Sequence, residues 1–172
     1  MKLADKIILD YLRQHQYNAI ILPNCYTSFS YWEYDLLKID NKTKYTTEIE
    51  VKVSRSDYSN DFNKSYKKWS IDPVPKIVNK HELIQSGQRT NKFYYLVPDN
   101  LIKAEEVPEK YGLIYYNKER RYFRVMKPAR FLHKNKLTDE DFNNVMIKVY
   151  YKYITMIQRV KKERSKNEKA NF

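Results

Sequence analysis

The periodicity of the chain predicts an α/β fold, a mixed sheet flanked by helices, and three observations carry that expectation. Leu3, Ile7, Ile8, Tyr11 and Leu12 recur at helical spacing. Three strand-like runs follow in close succession, at 18–22, 33–37 and 45–54. After a further helical stretch, residues 93–97 form a continuous apolar run of the kind a central parallel strand shows. The order is α-β-β-β-α-β, extended by a hairpin and a long final helix. A chain of 172 residues makes a single domain with a substantial core. We place that domain at 1–160, with a basic, fraying tail at 161–172.

The first helix presents one apolar stripe to the core. Residues 18–22 read as a short buried strand stopped by Pro23-Asn24, and 26–31 as a polar-aromatic loop. The next two strands are joined by the turn-like Asp40-Asn41-Lys42-Thr43, so they should form a hairpin. Ser54 or Ser56 can cap the following helix, with Asp57 in its first turn. Tyr58, Phe62, Tyr66 and Trp69 supply its packing stripe. Residues 71–90, with Pro73 and Pro75, interrupt the pattern as an insertion containing one helical turn near 81–85. Beyond the apolar strand come a loop at 99–109, a hairpin from 111–116 and 122–126, and a helix that begins at Thr138 with acids in its first turn. Its stripe runs through Phe142, Val145, Met146, Val149, Tyr150, Tyr153, Ile157 and Val160.

The chemistry concentrates on the hairpin. Between residues 45 and 54, Ile49, Val51 and Val53 point one way, and Glu48, Glu50, Lys52 and Ser54 the other. The neighbouring strand carries Glu33 and Asp35. Magnesium takes carboxylate, carbonyl and water oxygens and uses only one or two protein carboxylates. Asp35, Glu50 and the peptide carbonyl of Val51 could supply them, and Lys52 would reach the same pocket to orient or help deprotonate a water. A solvated hairpin face also alternates Glu and Lys, so the pattern alone is not specific.

The continuation is more specific. Glu50-Val51-Lys52-Val53-Ser54-Arg55-Ser56-Asp57-Tyr58 leads into Asp61-Phe62-Asn63-Lys64. This resembles the PD-(D/E)XK nuclease superfamily, and within it the MmcB-like DNA-repair proteins and their phage relatives. By motif the resemblance spans 31–68, and Tyr34 stands where the name-giving proline would be. It implies a restriction-endonuclease-like core and cleavage of DNA phosphodiesters with Mg2+ or Mn2+. Asp35, Glu50 and Lys52 then match the catalytic acid, acid and lysine; Glu33, Glu48 and Ser54 are accessory candidates. Lys64 is singled out by the resemblance as a DNA contact, and Arg55, Lys67 and Lys68 join it on position. For lysines off the packing stripe, a solvated face fits equally well. The alternative function is a catalytically silent nuclease fold that binds nucleic acid as an accessory protein.

Composition sets the outer bounds. Thirty-three basic against 21 acidic residues give a net charge of +12, and 17 tyrosines are interleaved with them, which suits phosphate contact and base stacking. An A/T-rich coding sequence also raises Lys, Asn, Tyr and Ile, but does not set the sign of the charge. A single cysteine, Cys25, excludes an internal disulfide and a cysteine-based zinc site. Two glycines exclude a glycine-rich phosphate loop. No run approaches the roughly 18 apolar residues of a membrane span, and the N-terminus carries Asp5 and Asp10, unlike a signal peptide. The expected setting is the cytoplasm of a bacterial or phage-infected cell, with DNA as partner, no membrane, and a homodimer as an open possibility.

Overall fold

The computed structural model describes residues 1–17, 19–27, 32–68 and 76–170. Trp69 and the proline-rich part of the expected insertion lie outside the described residues. Helix α1 (Leu3–His15) precedes the strands β1 (Ala19–Cys25), β2 (Tyr34–Asp40) and β3 (Thr46–Val51). Helix α2 (Arg55–Asp61), the small strands β4 (Ser65–Lys68) and β5 (Lys76–Asn79), and helix α3 (Lys80–Gln85) follow. The chain then forms β6 (Lys92–Pro98), β7 (Gly112–Asn117), β8 (Tyr122–Lys127) and the long α4 (Asp139–Ala170).

Six of these strands form a mixed sheet in the order β1-β2-β3-β6-β7-β8. β1 and β2, and β2 and β3, pair antiparallel, β6 lies parallel to β3 and β7, and β8 returns antiparallel. The apolar run at 93–97 therefore sits in the middle, buried on both faces. On one face Ile49, Val51 and Leu96 pack against Ile7, Ile8 and Tyr11 of α1. On the other, Leu37, Phe93, Tyr95 and Leu113 pack with Tyr58 of α2, Leu83 and Ile84 of α3 and Val145 of α4. Gly112 is required by this packing: a Cβ there would lie 2.2 Å from the Tyr94 ring on the neighbouring strand.

Three local expectations need correction. β1 does not stop at Pro23 but runs through it to Cys25. It is the edge strand, where a residue without an N–H costs no ladder bond. The helix after Ser54 ends at Asp61 instead of continuing towards Trp69. Phe62, Asn63 and Lys64 turn the chain with N–H bonds to Ser59, Asn60 and Asp61 carbonyls, and residues 65–68 pair with 76–79 as a separate two-stranded sheet. Asn60 and Asn63 are weak helix formers, and the long-range strand pairing outweighs the helical option. Tyr58, Phe62 and Tyr66 still reach the core as the stripe required. Finally, the basic run at 161–169, expected as a frayed tail, belongs to α4.

Candidate active site

The site forms where β2 and β3 part. Their pairing runs from Ile39–Thr46 to Leu36–Ile49 and ends there. Asp35 and Glu50, the next residue on each strand, thus face a gap. Across it the Asp35 carboxylate accepts the Val51 N–H at 2.8 Å, replacing a ladder bond by a side-chain one. On its other side β3 stays paired with β6, and the Lys52 N–H still donates to the Leu96 carbonyl. The site therefore lies at the C-terminal ends of two parallel strands, the usual place for chemistry in an α/β sheet.

Into this gap project two buried carboxylates and three ammonium groups. Glu50 Oε1 lies 2.8 Å from Lys52 Nζ and 3.5 Å from Lys64 Nζ, while Oε2 lies 3.0 Å from Lys80 Nζ. Asp61, at the end of α2, is fully buried and meets the same lysines: 3.0 Å to Lys52, 2.9 Å to Lys64 and 3.2 Å to Lys80. Its second oxygen accepts from the Tyr95 hydroxyl at 3.0 Å and lies 3.2 Å from His81 Nε2. The Lys80 ammonium also lies over the rings of Trp32 and Phe93. Each lysine has a different origin: Lys52 follows β3, Lys64 precedes β4 and Lys80 opens α3.

Electrostatics separate the four acids. Burial alone would raise Asp61, but the His81 hydrogen bond and the Lys80 and Lys52 charges outweigh it and hold the carboxyl far below its usual range. Glu50 follows the same pattern: burial is outweighed by Lys80 and Lys52, and its carboxyl is lowered. Asp35 goes the other way, pushed up to about 6 by burial and by the negative charge of Glu50. Glu48 is pushed up to about 8, chiefly by burial. Trp32 Nε1 donates to its Oε1 at 2.8 Å, but among the described residues Oε2 has no hydrogen-bond partner. Lys52, despite burial, is held protonated by Glu50 and Asp61. At this site it is a buried cation and hydrogen-bond donor.

No protein-family model and no curated protein matches the sequence. Among solved structures, the chain is similar to the SPO1766 protein of unknown function from Silicibacter pomeroyi, at a TM-score of 0.60 and 14% identity over 95% of this chain and 94% of that one. The likeness is one of fold: an α/β architecture with a mixed sheet.

Of the residues expected from sequence, the fold brings together Asp35, Glu50, Lys52 and Lys64. Glu33 is exposed ahead of β2 and borders an apolar cavity of about 370 Å3 beside α4, with Cys25, Val149 and Tyr151. Burial pushes the Cys25 thiol up to about 12, so it is unreactive there. Ser54 serves as the N-cap of α2, accepting the Asp57 N–H at 3.1 Å. Arg55 is exposed and bonds the Leu101 carbonyl and Glu106. Lys67 is exposed on β4, and Lys68 ends that strand. Two members of the cluster were not singled out by sequence, Asp61 and Lys80. Asp61 stands inside the quoted motif and had a signal; Lys80 had none, because it depends on the β4–β5 pairing.

For a divalent metal, the donor chemistry fits in type and number. Asp35 and Glu50 are two carboxylates at one gap, and the Val51 carbonyl belongs to the same segment. Among the described residues there is no group of three or more His, Cys, Asp or Glu side chains that could hold a metal. Any metal here would share Glu50 with the lysines. No helix among the described residues is long and apolar enough to cross a membrane.

Proposed function

We propose that this chain is a metal-dependent nuclease that hydrolyses DNA phosphodiester bonds, on a restriction-endonuclease-like core of the PD-(D/E)XK type. The observation that carries the reading is the meeting of Asp35, Glu50 and Lys52 at the point where β2 and β3 diverge. The order α1-β1-β2-β3-α2-β6 supports it, with β4, β5 and α3 as an insertion. Asp35 and Glu50 would hold Mg2+ or Mn2+; when bound, such an ion lowers the pKa of a coordinated water and steadies charge on a phosphoryl group. The chain's own contribution is a set of fixed cations. Lys64 has 41% of its side chain exposed and is placed to meet phosphate first, whereas Lys52 and Lys80 lie deeper. Held by Asp61, all three ammoniums are oriented before substrate arrives, which is the preorganisation that electrostatic catalysis requires.

One observation favours the alternative, a silent nuclease fold that binds nucleic acid: both oxygens of Glu50 already carry ammonium partners. Glu50→Gln separates the two readings. A nuclease loses metal affinity by calorimetry and loses cleavage of duplex, branched and single-stranded DNA; the variant's melting temperature falls, because buried ammoniums lose a charged partner, and the assays are run well below it. Wild-type protein that binds DNA but cleaves no member of the panel with either metal would leave the accessory role.

A further inference from the structure

The last helix carries a second face that the core does not use. Val145 and Val149 point to the body, and the Lys152 ammonium ties the helix to the carbonyls of Pro23 and Asn24 at the end of β1. At 3.6 residues per turn, Ile147, Tyr150, Tyr151 and Ile154 fall on the opposite side, Tyr151 at its margin, where it also borders the cavity beside Cys25. The first three of these are 52%, 59% and 65% exposed. An uncharged stripe of large side chains open to water on a long helix is an interaction surface.

Its polarity is arranged symmetrically about the Tyr150–Tyr151 peptide. Counting outward, Ile147 matches Ile154, and the exposed polar Asn143 matches the exposed polar Gln158. One turn further on, Glu140 matches Lys161, and Asp139 matches Lys162. A helix laid antiparallel on a copy of itself would therefore set apolar on apolar, amide on amide and acid on base, twice over. A parallel copy would oppose acid to acid and base to base. The stripe between these ends carries no charge, so it offers no ion pair to a phosphate backbone.

We infer that this face of α4 is the interface of a twofold-symmetric homodimer, in which the two helices pack antiparallel with Tyr150 and Tyr151 at the dyad. The matched segment, 139–162, spans about 35 Å at 1.5 Å per residue. Because the body lies behind each helix, the two bodies sit on opposite sides of the helix pair. The interface is isologous and closed, which limits assembly to two copies.

Sedimentation equilibrium of the full chain tests this across a concentration series. Wild type is expected to show a monomer–dimer equilibrium. Glu140→Lys and Lys161→Glu should each weaken dimerisation about ten-fold, since each turns two symmetry-related surface pairs from attraction to repulsion. The double swap should restore it. These positions are exposed, and matching thermal melts check that the monomer fold is kept. A wild-type monomer at every concentration overturns the inference. So does a dimer indifferent to either swap, or one that the double swap fails to restore. If Tyr150→Ala with Tyr151→Ala costs nucleic-acid affinity and leaves the association state unchanged, the face is a stacking surface and the dimer assignment is wrong.

Discussion

Replacing Glu48 by Gln should stabilise the protein, by an amount that depends on pH. The Glu48 side chain is fully buried, and its carboxyl is shifted from 4.5 to about 8, chiefly by burial. The Lys80 charge offsets part of this, and the nearby Glu50 charge adds to it. Between these two values the folded chain holds a proton that the unfolded chain has released. Wild-type stability therefore falls as pH rises from about 5 to about 8. Each unit corresponds to about 1.4 kcal/mol, so at pH 7 the cost is about 3 kcal/mol. Gln keeps an acceptor for Trp32 Nε1, carries no titrating proton and has the same size. Its advantage over wild type should grow from about 1 kcal/mol near pH 5 to about 3 kcal/mol at pH 7. For a domain of this size that is a rise of roughly 6–12 °C in melting temperature. Urea denaturation of both proteins at pH 5, 6, 7 and 8 measures it. Parallel stability curves, with no widening gap, would show that Glu48 is ionised in the folded chain and would refute the reasoning.

Asp61→Asn should cost about 3–5 kcal/mol in denaturant titrations near neutral pH, because three ammoniums lose a shared partner. Since Asp61 is depressed below its ordinary 3.8, its stabilisation is present above that value, and the gap to wild type should close as pH falls below about 4. Lys80→Met should be destabilising for the same reason, and the Asp61→Asn/Lys80→Met double variant should cost less than the sum of the singles by about 0.5–3 kcal/mol; strict additivity would mean that the two do not interact. Asp35→Asn should abolish cleavage in a magnesium assay while metal-free DNA binding in a mobility shift stays equal or tightens, because a negative charge leaves the gap. Undiminished cleavage by that variant would remove Asp35 from the site.

The sheet was legible because its strands carry their own periodicity. Alternation around Glu50 placed Ile49 and Val51 on the α1 side and the acids opposite, and the unbroken apolar run at 93–97 marked the doubly covered strand. What the alternation could not convey is that the polar side of β3 is buried. Glu48 and Glu50 are enclosed because cations arrive from elsewhere in the chain. The spacing of Tyr58, Phe62, Tyr66 and Trp69 overstates the helix after Ser54, because a four-residue spacing of aromatics is satisfied equally by a helix, a turn and a strand in succession. Lys80 was invisible for a related reason: only the pairing of 65–68 with 76–79 brings it back to Glu50, and no local pattern encodes that contact.

The small β4–β5 sheet has a consequence for how this architecture can change over generations. At its root the Lys80 N–H donates to the Lys64 carbonyl at 2.8 Å, and the Asn79 amide to the Phe62 carbonyl at 2.7 Å. These two bonds fix the spacing of Lys64 and Lys80 at the base of the hairpin, independently of what lies at its tip. Lengthening a connection costs little, about 0.6 kcal/mol per doubling. Insertions between the two strands thus cost little and leave the lysine spacing below set by the same two bonds. The hairpin is an exchangeable cassette: descendants of this fold can acquire a longer reach or a different surface there while inheriting the charged centre unaltered.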